Sequence, residues 1–183
     1  MRIAINEVVE AFGVLFVNLL DRDFAKSAGF EHYSESELLH IVRAFLLGWF
    51  GKVEPEIASS LPGCVSSSGR IDFRVGDVAV ELAVRKYGDK HKRKLCAKEN
   101  ETEVKKLLRH NGPSLLVLFD FSRTHLSGED LEEYRVLPSL GRGNWRTSAF
   151  HVAYFHRETK TDEKVYTKIM VSPAAAKRAK LAA

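Results

Sequence analysis

The sequence predicts an α/β domain in which helices pack on the faces of a mixed sheet. Three observations carry this. Residues 5–20 and 34–50 repeat apolar side chains at helical spacing, residues 69–86 alternate apolar and polar as a β-hairpin does, and residues 113–122 form a short, nearly unbroken apolar run. Such a run reads as a strand buried on both faces, and helices interleaved with strands call for helices layered on a sheet. The 183 residues suffice for one domain with a full core and are short for two.

Ile5 to Leu20 reads as a helix, with Ile5, Val8, Val9, Phe12, Leu15, Phe16 and Leu19 on a broad apolar face. That face suits either the domain's own sheet or a homodimer. The next helix begins at Ser34, which forms a capping box with Glu37, and stops at Gly51, a good C′ residue. "KVEPEIASSLP" is a strand interrupted by Pro55, hence an edge strand or an irregular one. "PGCVSSSG" leads into the hairpin. A helix follows from about Glu99 to His110, ended by Asn111 and Gly112. "PSLLVLFDFS" is the buried strand, "SGEDLEEYRVLPSL" holds a short helix and "SAFHVAYFHR" is a further strand. "EKVYTKIMV" fits a last strand or a helical turn. Residues 1–172 thus form a single domain, and 173–183 form a low-complexity tail whose "KLAA" end reads as vector-derived.

The hairpin poses the chemical question. With Gly76 and Asp77 as a two-residue loop, Val75 faces Val78, Arg74 faces Ala79 and Phe73 faces Val80. Asp72 then faces Glu81, and directly opposed like charges destabilise a sheet. Ile71, Phe73, Val78, Val80, Leu82 and Val84 make one apolar face; Arg70, Asp72, Arg74, Glu81, Ala83 and Arg85 make the other. Either the arginines neutralise a solvated surface, or the two carboxylates hold a divalent ion. Hard cations such as Mg²⁺ or Mn²⁺ take oxygen ligands and would remove the repulsion. The register decides, because a one-residue slip separates the pair.

Apolar content of 45% and charged content of 28% are those of an ordinary globular protein. No run of eighteen apolar residues indicates a membrane span, and the apolar start carries Glu7 and Glu10 and lacks a cleavage site, so it is a poor signal peptide. Cys64 and Cys96 form no metal or redox motif, which suits a reducing cytoplasm. Lys177, Arg178 and Lys180 of the tail supply three of the four excess positive charges. Global charge therefore says little about partners. Local charge says more: residues 85–98 hold Arg85, Lys86, Lys90, Lys92, Arg93, Lys94 and Lys98, a phosphate-attracting run leaving the strand that bears Glu81.

With "RID" at 70–72 and "VELA" at 80–83 on successive strands, the chain resembles the PD-(D/E)XK nuclease superfamily, the restriction-endonuclease-like fold. The resemblance covers about residues 34–121 and implies an α-β-β-β-α-β core in which Asp72 and Glu81 hold Mg²⁺ or Mn²⁺. It also implies a further acid from the first helix or strand, for which Glu37 and Glu56 are the candidates. The implied activity is hydrolysis of phosphodiesters in nucleic acid, DNA favoured. The family's lysine two residues after the Glu is Ala83 here. Its replacement is sought in Arg70, which the ladder places opposite Ala83, in Arg85 on the same face, or in a lysine migrated to the following helix, Lys105 or Lys106. Lys90, Lys92, Arg93, Lys94, Lys98 and Lys105 are the candidate nucleic-acid contacts. The missing lysine also leaves open a catalytically inactive module that binds nucleic acid or a protein.

Other constellations are weaker. His151 and His156 fall on opposite faces of one strand and so cannot readily share a metal. "GRGNWR", 141–146, reads as a turn with a packed Trp145 or a phosphate-contacting loop, and Asp120 and Arg123 read as a structural ion pair.

Overall fold

Every strand lies beside its sequence neighbour. A computed structural model describes residues 3–60, 68–89, 92–140, 146–157 and 164–172. Its elements are α1 (Ile5–Leu19), α2 (Arg22–Ala28), α3 (Glu35–Phe50), β1 (Glu54–Ser60), β2 (Ser68–Val75), β3 (Val78–Arg85), α4 (Glu101–Arg109), β4 (Ser114–Asp120), α5 (Gly128–Glu132), β5 (Phe150–Arg157) and β6 (Lys164–Val171). The six strands form one mixed open sheet in chain order. β1, β2 and β3 run antiparallel, β3, β4 and β5 run parallel, and β6 is antiparallel to β5. The parallel step from β3 to β4 needs a crossover, and α4 provides it.

The local signals behave as expected. Ser34 accepts the Glu37 N–H while Glu37 Oε2 accepts the Ser34 N–H at 2.6 Å, closing the capping box of α3. Gly51 ends that helix at φ +75°, a left-handed conformation suited to glycine. Pro55 lies in β1, an edge strand, where the sheet needs no donor from it. "EKVYTKIMV" resolves into β6, pairing with β5 along its length. The tail 173–183, Cys64, Lys90 and Trp145 lie outside the described residues.

Two cores flank the sheet. On one face, α1 and α3 bury Val8, Phe12, Phe16, Leu38, Val42 and Leu46 against Phe73, Val80, Val117, Phe119 and Phe155. Phe16 anchors this side, its ring centroid 5.0 Å from that of Phe119 and 5.3 Å from that of Phe121. The apolar face of α1, offered above for a homodimer, is thus used within the chain's own core. On the other face, Val104, Leu107 and Leu108 of α4 pack with Leu95, Tyr134, Leu116, Leu118 and Tyr154.

The β2–β3 hairpin has the predicted register: Val75 opposite Val78, Arg74 opposite Ala79 and Phe73 opposite Val80. Backbone pairing between the two strands then stops. On the other flank, Pro55 pairs with Phe73 and Ile57 with Ile71, while Glu56 between them sits at φ +50°. This distortion turns the strand over. Ile71 packs in the α4-side core and Phe73 in the opposite one, which corrects the expectation that both line a single face. A local irregularity re-aims the side chains on either side of it. The expected polar face of β3 is not solvated either: all eight of its residues are buried.

Candidate active site at Asp72, Glu81 and Lys106

Asp72 occupies the point where the ladder fails. Its Oδ2 accepts the Leu82 N–H at 2.8 Å, a donor that the alternating antiparallel pattern would otherwise send to the β2 backbone. The side chain thereby closes the gap and is drawn close enough to Glu81 for the two carboxyls to interact electrostatically. Glu81 is 1% exposed.

The third member comes from α4. The apolar anchors Val104, Leu107 and Leu108 fix that helix on the sheet, and Lys106 reaches over β3 with Nζ 2.9 Å from Glu81 Oε1 and 3.1 Å from Oε2. Glu103 Oε1 lies 3.9 Å from the same nitrogen. Glu35, the first residue of α3, stands within electrostatic range of Asp72, Glu103 and Lys106. Four acids therefore surround one lysine.

The protons respond accordingly. Burial first, then the charge of Asp72, pushes Glu81 up to about 9. Burial also raises Asp72, opposed by the Leu82 N–H and by Lys106. Glu35, exposed at the start of α3, is pushed up by partial desolvation of its carboxyl beside the sheet and by the charges of Asp72 and Glu103. At neutral pH the Asp72–Glu81 pair keeps a proton, the behaviour of two carboxylates that cannot both ionise side by side.

The sequence-derived candidates divide. Asp72, Glu81 and Lys106 meet. Arg85 does not join them, because it is fully buried in an ion pair with Asp120: Nε donates to Oδ1 at 2.8 Å and Nη2 to Oδ2 at 2.5 Å. Arg70, expected above Ala83, instead pairs with Glu56 on the exposed side of β1 and β2; the broken ladder turns both away. Glu37 is committed to Ser34 as a helix cap, which holds its carboxyl below the usual range, and Glu35 takes the place expected of it. Lys105 pairs with Glu101 and Lys94 with Asp89 at 3.0 Å. Lys98 is exposed, and the backbone of Lys92 and Arg93 forms a 3₁₀ turn. Asp120 takes Arg85 rather than Arg123, which lies over the Tyr87 ring. His156 lies 4.3 Å from His125 with the rings tilted by 37°, and stacks on Tyr154. His151 is spaced onto the opposite face of β5.

Among the described residues no group of three or more His, Cys, Asp or Glu side chains stands ready to hold a metal ion. Mg²⁺ does not require one, since it commonly binds through one or two carboxylates and completes its shell with water and substrate phosphate. Asp72 and Glu81 supply those two. Glu81 Oε1 is buried without a well-directed hydrogen bond despite the nearby ammonium, so it has an acceptor site to offer a cation. The residues fit such an ion.

No protein-family model, curated protein or solved structure matches the chain. The site is read from its own geometry.

The raised pKa values fix the sign of a pH response. Between the ordinary carboxyl value of 4.5 and about 9, native Glu81 holds a proton that the unfolded chain has released. Stability from this group is full below that window and falls as pH rises through it. Metal-free protein is therefore expected to lose thermal stability from about pH 5 to about pH 9 more steeply than Glu81→Gln. Mn²⁺ is expected to restore wild type most at the alkaline end, where the pair is ionised. Calorimetry across that range checks both, and an equal Mn²⁺ response in Glu81→Gln would remove Glu81 as a ligand.

Proposed function

We propose that this chain is a metal-dependent nuclease hydrolysing phosphodiester bonds in nucleic acid, DNA favoured, on a restriction-endonuclease-like core. The observation that carries the reading is the meeting of Asp72 and Glu81 under Lys106. The chain order α3-β1-β2-β3-α4-β4 agrees with the α-β-β-β-α-β order of that core.

Asp72 and Glu81 would hold Mg²⁺ or Mn²⁺, which supplies polarisation of the phosphodiester and activation of the attacking water. Lys106 takes the part of the missing motif lysine. Its ammonium opposes the burial that keeps Glu81 protonated and so eases ionisation of the pair, and on that ionisation it stands beside the developing phosphorane charge. A fixed cation aimed where charge develops stabilises the transition state. Glu35 and Glu103 add negative potential that favours a cation at the pair, in competition with the proton that the metal-free pair holds.

The direct test incubates the protein with plasmid, single-stranded DNA and RNA in Mg²⁺ or Mn²⁺. Metal-dependent cleavage is the expected result, and none with any substrate overturns the reading. Lys106→Met is expected to slow cleavage about 10²-fold, whereas Lys105→Met and Arg70→Ala leave it unchanged. Equal rates for Lys106→Met and wild type would remove the lysine from the chemistry.

A further inference from the structure

Just past the end of β3, the chain turns at Lys86–Asp89 and presents Tyr87. Three bonds fix the turn: Asp89 N donates to Lys86 O at 3.2 Å, Lys86 N donates to Asp89 Oδ2 at 3.2 Å, and Tyr87 N donates to Glu31 O at 2.7 Å. The Tyr87 ring is nonetheless 39% exposed. Arg123, itself exposed, lays its guanidinium 5.2 Å from the ring centroid and donates to the Tyr87 hydroxyl. His32 meets the ring edge-on, with centroids 5.5 Å apart and planes at 89°.

Nothing in the fold asks for this cluster. All three side chains sit outside both cores, and an exposed cation–π contact contributes only about 0.5–1 kcal/mol. A rigidly mounted aromatic ring, a planar guanidinium and an imidazole together match a different demand. Unpaired bases stack on aromatic rings and on arginine planes, and the adjoining phosphates seek cations.

Its position gives the cluster a role. The segment from Glu31 to Glu35 touches Tyr87 through the Glu31 carbonyl at one end and faces Asp72 through Glu35 at the other. Four residues span at most about 14 Å. Platform and carboxylates are therefore within reach of one short stretch of a single polynucleotide.

We infer that His32, Tyr87 and Arg123 form a stacking site for an unpaired base of a single-stranded nucleic acid, a few nucleotides from the bond presented to Asp72 and Glu81. A base seated on the exposed side of the Arg123–Tyr87 stack extends the pile that these residues begin. The site favours single-stranded or frayed substrate, because a base held in a duplex has no free face to offer. This inference rests on the nuclease reading for its substrate but not for its binding energy.

The experiment measures binding of a fluorescein-labelled oligothymidylate of twenty nucleotides and of a duplex of equal length, in EDTA so that no cleavage intervenes. Wild type is expected to prefer the single strand at least tenfold. Tyr87→Ala is expected to weaken single-strand binding about tenfold, within the range for losing one stacked base, and Tyr87→Phe to retain most of it. Arg123→Met should weaken it as well, while duplex binding stays near wild type in each variant. Circular dichroism and the thermal midpoint establish that Tyr87→Ala remains folded. Unchanged single-strand affinity in folded Tyr87→Ala, or an equal loss on single strand and duplex, overturns the stacking site. If wild type binds neither probe, the stacking site is overturned, while the nuclease reading is decided by the cleavage test. If Tyr87-dependent binding appears and no metal produces cleavage, the nuclease reading fails and the stacking site stands.

Discussion

Replacing Asp72 by Asn is expected to lower Mn²⁺-dependent cleavage about 10³-fold, the equivalent of the several kcal/mol that a bound metal contributes to phosphoryl chemistry, while leaving the thermal midpoint at or above that of wild type. The two halves of this result separate function from folding. Asn keeps an oxygen that can accept the Leu82 N–H, held at 2.8 Å by Asp72. It removes the negative charge that crowds Glu81, whose carboxyl burial and Asp72 together push up to about 9. The fold loses a repulsion and the site loses a ligand. Asp72→Ala would confuse the two, because an unpartnered Leu82 N–H costs about 1–3 kcal/mol. Single-turnover cleavage with calorimetry on the same preparations decides the matter. Cleavage by Asp72→Asn at the wild-type rate would show that the carboxylate pair holds no catalytic ion.

The largest stability effect is expected at the other end of β3. Asp120→Ala should cost about 3–5 kcal/mol, because it leaves Arg85 charged and buried with no counter-ion. Asp120 is the hub of the cluster: it accepts from Arg85 twice, from the Tyr154 hydroxyl at 2.6 Å and from the Ser122 N–H at 3.0 Å. Tyr154 in turn accepts the Leu126 N–H at 2.9 Å, and burial with the Asp120 charge drives its own acidity far below normal. The paired change Arg85→Met with Asp120→Leu should recover only the part of the loss due to the unpaired Arg85 charge, because the Tyr154 hydroxyl and the Ser122 N–H still lack their acceptor. Urea denaturation measures both. Cleavage per folded molecule should stay the same in the double variant, whereas a loss of activity at full folding would return Arg85 to the active site.

Much of this was legible from residue order. The hairpin register followed from Gly76 and Asp77, the ends of α3 from Ser34, Glu37 and Gly51, and β4 from its unbroken apolar run. These are local signals with local causes. The site was legible only where it depends on that register: Asp72 and Glu81 are brought together by a two-residue turn with three paired residues on either side. The substitute cation was not decidable. Lys105 and Lys106 are chemically alike, and only the packing of Val104, Leu107 and Leu108 determines which faces the sheet. Glu35 was hidden by a good alternative explanation, since an acid in the first turn of a helix already suits the helix dipole. Arg70 was misplaced because ideal alternation was carried through Asp72, where the strand departs from it, whereas Arg85 keeps the regular alternation of β3 but is taken by Asp120.

That departure also alters the sheet as a mechanical object. From Phe73 to the turn, β2 is bonded on both flanks; from Ser68 to Ile71 its backbone partner is β1 alone. The first half of the β1–β2 ribbon is consequently an arm cantilevered from the sheet, and the Asp72 to Leu82 bond is its root. A two-stranded ribbon is only marginally stable on its own, so the arm depends on that root and on Ile71, which is buried in the α4-side core. Chemistry at the pair and anchoring of the arm share one carboxylate: whatever draws Asp72 away from Leu82 also loosens the root.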